Sequence, residues 1–181
     1  MRSIAALSAL FAIATSGLAA PSDDMRRLRT TCEHTADLLN ASLNGVMPLN
    51  TSGILQKFVW QIETSTANLN SNNTTWAHNA TTYNRIYLDA VYFNYTDCLG
   101  TLSEACVRRG RCFHQEHNLP VYNALQRTAT AVHAYGQKLA AGNYISRNAT
   151  IRTITAGSDI VNAEGAWSNN RNYPGKLKRE T

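Results

Sequence analysis

The chain has 181 residues, a formal net charge of +5, 44% hydrophobic residues and 16% charged residues. This length suits one globular domain with a single core, and the low charge excludes disorder that is driven by charge. Polarity comes largely from uncharged residues, 18 Asn and 19 Thr. With four Lys in the whole chain and no broad basic stripe, nucleic-acid binding is not expected.

The N-terminus has the form of a secretory signal peptide over residues 1–19. Arg2 is followed by an apolar stretch from Ile4 to Ala14, and Gly17 and Ala19 satisfy the small-residue rule for cleavage before Ala20. Outside this region no apolar run of about 20 residues occurs, so the protein is not expected to be transmembrane. Residues 20–29 form a candidate pro-segment with trimming at Arg27 or Arg29, and Arg179 marks a second candidate trimming site.

Apolar spacing predicts a series of helices and no strands. We expect a first helix over 23–44, a second that follows a cap at Thr51 or Ser52 and reaches about Leu69, and a third from Trp76 to about Cys98. A capping box at 101–104 predicts a short separate helix that ends at Gly110. The predicted class is all-α, an antiparallel bundle of about five helices stapled by disulfides, over residues 30–167.

The clearest helical pattern follows this short helix. Its core positions alternate three and four residues apart between a start at Asn118 and a stop at Gly142: Val121, Leu125, Thr128, Val132, Tyr135 and Leu139. Residues 148–167 predict one or two further helices, with Ile151, Ile154, Ile160 or Val161, and Trp167 as their apolar positions. Residues 168–181 are predicted to be a flexible tail.

Seven Asn-x-Ser/Thr sequons indicate an extracellular glycoprotein, and they begin at Asn40, Asn50, Asn72, Asn73, Asn79, Asn94 and Asn148. In the same oxidising compartment four cysteines predict two disulfides. Three pairings are possible, and the clustering of three cysteines within 98–112 favours Cys98–Cys112 together with Cys32–Cys106.

The third helix carries more aromatic residues than one buried face needs. Either it is the central helix, covered on both sides, or its excess apolar surface faces a ligand or partner. The candidate ligand-facing residues are Trp76, Tyr83, Tyr87 and Phe93. The second alternative motivates an apolar-ligand carrier, with a lipid between the helices.

The titratable residues give little sign of catalysis. His114 and His117 share a helix face only if that segment is helical, and two ligands are fewer than a zinc site needs. We therefore expect no metal and no cofactor, and we expect no enzyme activity. A hydrolase centred on His114, Glu116 and His117 stays as the weaker alternative. Arg108, Arg109 and Arg111 form a basic cluster that is either solvated or in contact with an acidic surface.

The layout of the chain resembles that of small secreted proteins of filamentous fungi. The resemblance lies in the signal region from Ala5 to Pro21, the dibasic segment after it and the Asn/Thr-rich helical body. It implies a protein that is secreted and extracellular, either free or associated with the cell wall, as apoplastic effectors and cell-wall mannoproteins are. The expected function is binding to an extracellular protein or polysaccharide, and the apolar small molecule is the alternative ligand.

Overall fold

The computed structural model describes residues 21–41, 50–71, 82–112 and 118–168. They form five helices: α1 (Pro21–Ala41), α2 (Thr51–Ser71), α3 (Thr82–Cys112), α4 (Asn118–Ala141) and α5 (Arg147–Trp167). These ranges contain no strand, which confirms the all-α class. None of the helices in them is long and apolar enough to cross a membrane. The predicted signal peptide and residues 169–181 of the predicted tail lie outside them.

The five helices close into a ring around one core. In order around the ring, α1 packs on α3, α3 on α5, α5 on α4, α4 on α2, and α2 returns to α1. Helices α3 and α5 run in the same direction, because Asp89 meets Ser146 near their starts and Trp167 meets the carbonyl of Cys106 near their ends. Helix α3 is therefore a member of the ring and not a central helix covered on both sides.

Helix α4 follows its predicted pattern. All six of its predicted core positions are buried, and the helix ends at Ala141, one residue before Gly142. The centre of the core is aromatic: the ring of Tyr95 lies 5.9 Å from that of Tyr92 and 6.1 Å from that of Tyr135. Offset and edge-to-face aromatic pairs at such distances add to the stabilisation that burial gives.

The candidate pro-segment at 20–29 coincides with the start of α1. Within it Met25 and Leu28 are fully buried, and Asp24 is buried while it accepts a hydrogen bond from Arg27. Cleavage after Arg29 would therefore remove two complete core side chains, at a cost of about 2–5 kcal/mol for each.

The predicted break after Cys98 is wrong, because α3 is one helix of 31 residues that continues through Gly100. Leu99 and Leu102 on either side of this glycine are both fully buried. Their burial outweighs the roughly 1 kcal/mol that a glycine costs inside a helix. The motif at 101–104 therefore lies within the helix and caps nothing.

This continuous helix also overturns the favoured disulfide pairings. Cys98 and Cys112 lie fourteen positions apart on α3, about 21 Å along its axis, whereas bonded cysteines need Cα atoms about 4.4–6.8 Å apart. Cys32 and Cys106 are not bonded either. Within the described side chains Cys32, Cys98 and Cys106 are buried thiols, so disulfide stapling is not part of this structure.

Candidate functional site

Helix α5 is apolar on two opposite sides. Its inner side carries the buried residues at three- and four-residue spacing: Ala149, Thr153, Ala156, Ile160, Ala163 and Trp167. Its outer side carries Ile151, Ile154 and Val161, whose exposed fractions are 54%, 59% and 53%. Offsets of three and seven residues place these three on one line, called here the outer stripe of α5. The stripe is about 15 Å long.

The outer stripe corrects the prediction for this segment. We expected Ile151 and Ile154 to face the core, but small residues do so instead and allow α5 to pack close to its neighbours. The signal was present in the sequence, because Ala149, Ala156 and Ala163 recur every seven residues. A search for large apolar residues alone selects the wrong side of this helix.

A furrow runs beside the outer stripe, between α3 and α5. It consists of a cavity of about 590 Å³ and a smaller one of about 180 Å³, and both are lined by Gly100 and Asp159. Gly100 has no side chain to separate them, and the nearest atom to a methyl group added there would be Asp159 Oδ2, at 3.8 Å. We call the two joined cavities the α3–α5 furrow.

The furrow has unpaired acidic groups at its centre and a paired arginine at one end. Arg152 forms a salt bridge of 3.0 Å with Asp97, and its guanidinium lies 5.5 Å from the centroid of the Phe93 ring. Neither Glu104 nor Asp159 forms a salt bridge within the part of the chain that is described. Their carboxylates are available to a cationic partner.

The described candidate aromatic residues do not share a pocket. Tyr87 faces α1, where Arg26 donates to its hydroxyl and lies over its ring, at 5.7 Å from the centroid. Phe93 is half-buried on the side of α5, beneath Arg152. Trp76 and the side chain of Tyr83 lie outside the described residues.

Three of the predicted glycosylation sites are exposed, at Asn50, Asn94 and Asn148. Asn50 also caps α2, since its side-chain oxygen accepts a hydrogen bond of 2.9 Å from the amide of Gly53. Asn40 is half-buried, and its side-chain oxygen has no hydrogen-bond partner in the described chain. The sequons at 72, 73 and 79 lie outside the described residues. Occupancy of each sequon stays a prediction.

The predicted basic cluster is divided by the fold. Arg108 is exposed beside the furrow, whereas Arg109 is buried and donates a hydrogen bond of 2.7 Å to Thr51 on α2. Arg109 therefore joins two helices, and the side chain of Arg111 is outside the described set. His114, Glu116 and His117 also lie outside the described residues. Among the residues that are described, no group of three His, Cys, Asp or Glu side chains is placed to hold a metal.

Comparison with protein-family models, with curated proteins and with solved structures finds no match to this chain. The chemistry of the site therefore rests on its own geometry. Helix α5 carries three exposed aliphatic side chains on its outer side, and between it and α3 lies a furrow lined by Glu104, Asp159 and Arg108. This arrangement fits a polypeptide segment that carries both apolar and basic side chains.

Proposed function

We propose that the protein is secreted, carries N-linked glycans and acts by binding an extracellular protein, in the manner of an apoplastic effector or a cell-wall protein. The signal-type segment at 1–19 and the seven sequons support the compartment. Cysteines of secreted domains commonly pair, so disulfide formation belongs to the same proposal.

The observation that carries the binding proposal is the outer stripe of α5. Ile151, Ile154 and Val161 form an apolar row, interrupted by Ser158, on a helix whose opposite side already fills the core. Exposed apolar residues grouped on one side of a helix mark interaction sites more often than scattered apolar residues do. A helix or strand of a partner that lay along the stripe would bury all three side chains.

Charge identifies the chemistry of the partner. Glu104 and Asp159 present two carboxylates in the furrow against the one guanidinium of Arg108, so the matching surface carries lysine or arginine beside its apolar residues. A polysaccharide would more often be held against exposed aromatic rings, but the outer stripe of α5 contains none, and the exposed Trp60 lies on α2. These features favour a protein partner.

The exposed sequons leave room for such a partner. Asn148 lies in the first turn of α5 and Val161 near its end, about 20 Å apart along the axis. Asn94 is ten positions before Glu104 on α3, about 15 Å away. A glycan at Asn148 would lie at the start of α5, and one at Asn94 would lie at the groove between α1 and α3, so both would leave Glu104 and Val161 uncovered.

Site-specific photo-crosslinking tests this proposal. A photoreactive residue replaces Ser158, which is exposed within the line of the outer stripe, and in a control protein it replaces Trp60 on α2. Each protein is irradiated in the extracellular fluid into which it is secreted. We expect a product specific to position 158 whose crosslinked peptide contains apolar and basic residues. Equal products at both positions, or none at 158, contradict the proposal.

Binding of the purified crosslinked partner is then compared among three proteins. Ile154→Asp should weaken binding at least tenfold, because it places a charge in the apolar contact. Ile86→Asp changes the same residue type at another exposed position and should leave binding unchanged. The assignment is overturned if the Ile154→Asp protein binds the partner as tightly as the wild type does. It is also overturned if no protein partner is found and the Ile154→Asp protein is retained on deproteinised wall polysaccharide as well as the wild type is.

The compartment has a separate test. Mass spectrometry of the mature protein should find an N-terminus at Ala20, or within the following ten residues if trimming occurs, and glycan masses on at least one of Asn50, Asn94 and Asn148. An intact Met1 on a protein retained inside the cell would refute secretion without bearing on the binding surface.

A further inference from the structure

Two cysteines from different helices meet in the contact between α1 and α3. Both cysteines are buried there, and the neighbouring Cys98 thiol adds to the effect of burial in raising the pKa of Cys32. Cys98 Sγ also lies 3.9 Å from the carbonyl oxygen of Arg29, which is one turn before Cys32 on α1. The Cys98 thiol therefore rests against the turn of α1 that carries Cys32.

The third buried cysteine is less well placed. Cys106 is eight positions after Cys98, about 12 Å further along α3. Both Cys98 and Cys106 raise the pKa of Cys32, and the effect of Cys98 is the larger. Within α3 no two cysteines can approach closely enough to bond, since they lie on one continuous helix. Cys32 is thus the shared partner, and Cys98 is its nearer neighbour.

A groove gives small molecules access to this pair. It has a volume of about 470 Å³, lies between α1 and α3, and is lined by Arg29, Glu33, Asp97 and Cys98 among others. Cys98 is 7% exposed, while Cys32 and Cys106 are fully buried. A thiol reagent that enters the groove meets Cys98 first.

We propose that Cys32 and Cys98 are a disulfide-forming site that links α1 to α3 when the folded protein meets a small disulfide oxidant such as oxidised glutathione. The Cys98 thiolate attacks one sulfur of the oxidant, and the first glutathione leaves as a thiolate. Cys32 then loses its proton and attacks Cys98 Sγ, which releases the second glutathione. Two protein thiols are oxidised, one glutathione disulfide is reduced to two thiols, and two electrons are transferred.

Burial supports this order of attack. It raises the pKa of the Cys32 thiol well above its ordinary value and the pKa of Cys106 to about 12, so both thiols stay protonated in the folded protein. A thiol is a poor nucleophile until it is deprotonated. Cys32 consequently acts second, once the activated Cys98 sulfur lies beside it, and Cys106 takes no part.

The test uses the full-length chain with all four cysteines, fully reduced and then incubated folded with oxidised glutathione. A peptide map without reduction should show Cys32 linked to Cys98, and the intact mass should fall by two hydrogens. Closing a loop of this length should raise Tm by about 10 °C. Cys32→Ser and Cys98→Ser should each abolish the mass change and the rise in Tm, whereas Cys106→Ala should keep both.

The wild-type peptide map decides the outcome even if a cysteine variant does not fold. A main product that joins Cys32 to Cys106, or any product that joins Cys112 to one of the others in place of this bond, overturns the proposal. So does a glutathione adduct that remains on Cys98 without transfer to Cys32. None of these results depends on the identity of the binding partner.

Discussion

Gly136 on α4 lies against the side chains of Thr153 on α5 and Tyr92 on α3, and replacing it with alanine tests this packing directly. A Cβ atom at this position would overlap Thr153 Cγ2 and lie 2.7 Å from Thr153 Oγ1 and 2.9 Å from the hydroxyl of Tyr92. These same two residues share a buried hydrogen bond of 2.6 Å. The new methyl group would force apart the pair that joins α3 to α5.

Two effects of opposite sign determine the result. Alanine is favoured over glycine inside a helix by about 1 kcal/mol. Overpacking a rigid core costs about 1–3 kcal/mol, and separating a buried hydrogen-bonded pair costs about 1–3 kcal/mol more. We therefore expect Gly136→Ala to lower the free energy of unfolding by about 2 kcal/mol, and Tm by about 6 °C.

The matched control is Gly157→Ala on α5, where an added Cβ would have no atom within 4 Å. Here only the helix preference acts, and stability should rise by up to about 1 kcal/mol. Urea unfolding followed by circular dichroism at 222 nm measures both proteins. Adding Thr153→Ser to Gly136→Ala removes the overlapping methyl group and should restore part of the loss. A Gly136→Ala protein as stable as the wild type would refute the packing described here.

Three further predictions concern the core, the start of α1 and the cap of α2. Trp167→Phe should lower the urea midpoint by the equivalent of about 1–2 kcal/mol, because the indole N–H donates a buried hydrogen bond of 2.9 Å to the Cys106 carbonyl. Burial raises the pKa of the Asp24 carboxyl in the folded protein despite the nearby Arg27. The wild type therefore loses stability as the pH rises from about 4, the ordinary pKa of aspartate, through the raised pKa of the folded state. The stability of Asp24→Asn relative to wild type should therefore increase with pH across that window and then level off. Unfolding of both proteins measured over the same pH range checks this, and a difference in their free energies of unfolding that does not change with pH would contradict it. Asn50→Asp and Asn50→Ala both remove a sequon, but the aspartate keeps the cap, so thermal unfolding should find it more stable than the alanine variant by about 1 kcal/mol.

The sequence was sufficient to predict the class of fold and most helices. Helix α4 shows why: its large apolar residues lie on one side, and Asn118 and Gly142 mark its limits. Helix α2 lies close to its predicted position, but its cap is Asn50 and not the predicted Thr51 or Ser52. Where apolar periodicity and end signals agree, they report the same physical fact, that one side of a helix is buried.

The sequence was insufficient where tertiary contacts outweigh local signals. Gly100 and the motif after it resemble a helix boundary, but burial of Leu99 and Leu102 carries α3 through them. The disulfide pairings depended on that boundary and were wrong with it. On α5 Ile151, Ile154 and Val161 lie outside, and the inner side combines Ala149, Ala156 and Ala163 with Ile160 and Trp167, so the size of the apolar residues alone does not identify the buried side.

The odd number of helices has a consequence for handling the protein. Five helices that alternate in direction place Pro21 and Trp167 at opposite ends of the bundle, separated by roughly the 30 Å length of α1 or α5. A surface linker attached ahead of α1 and a fluorophore attached after α5 would therefore not crowd each other.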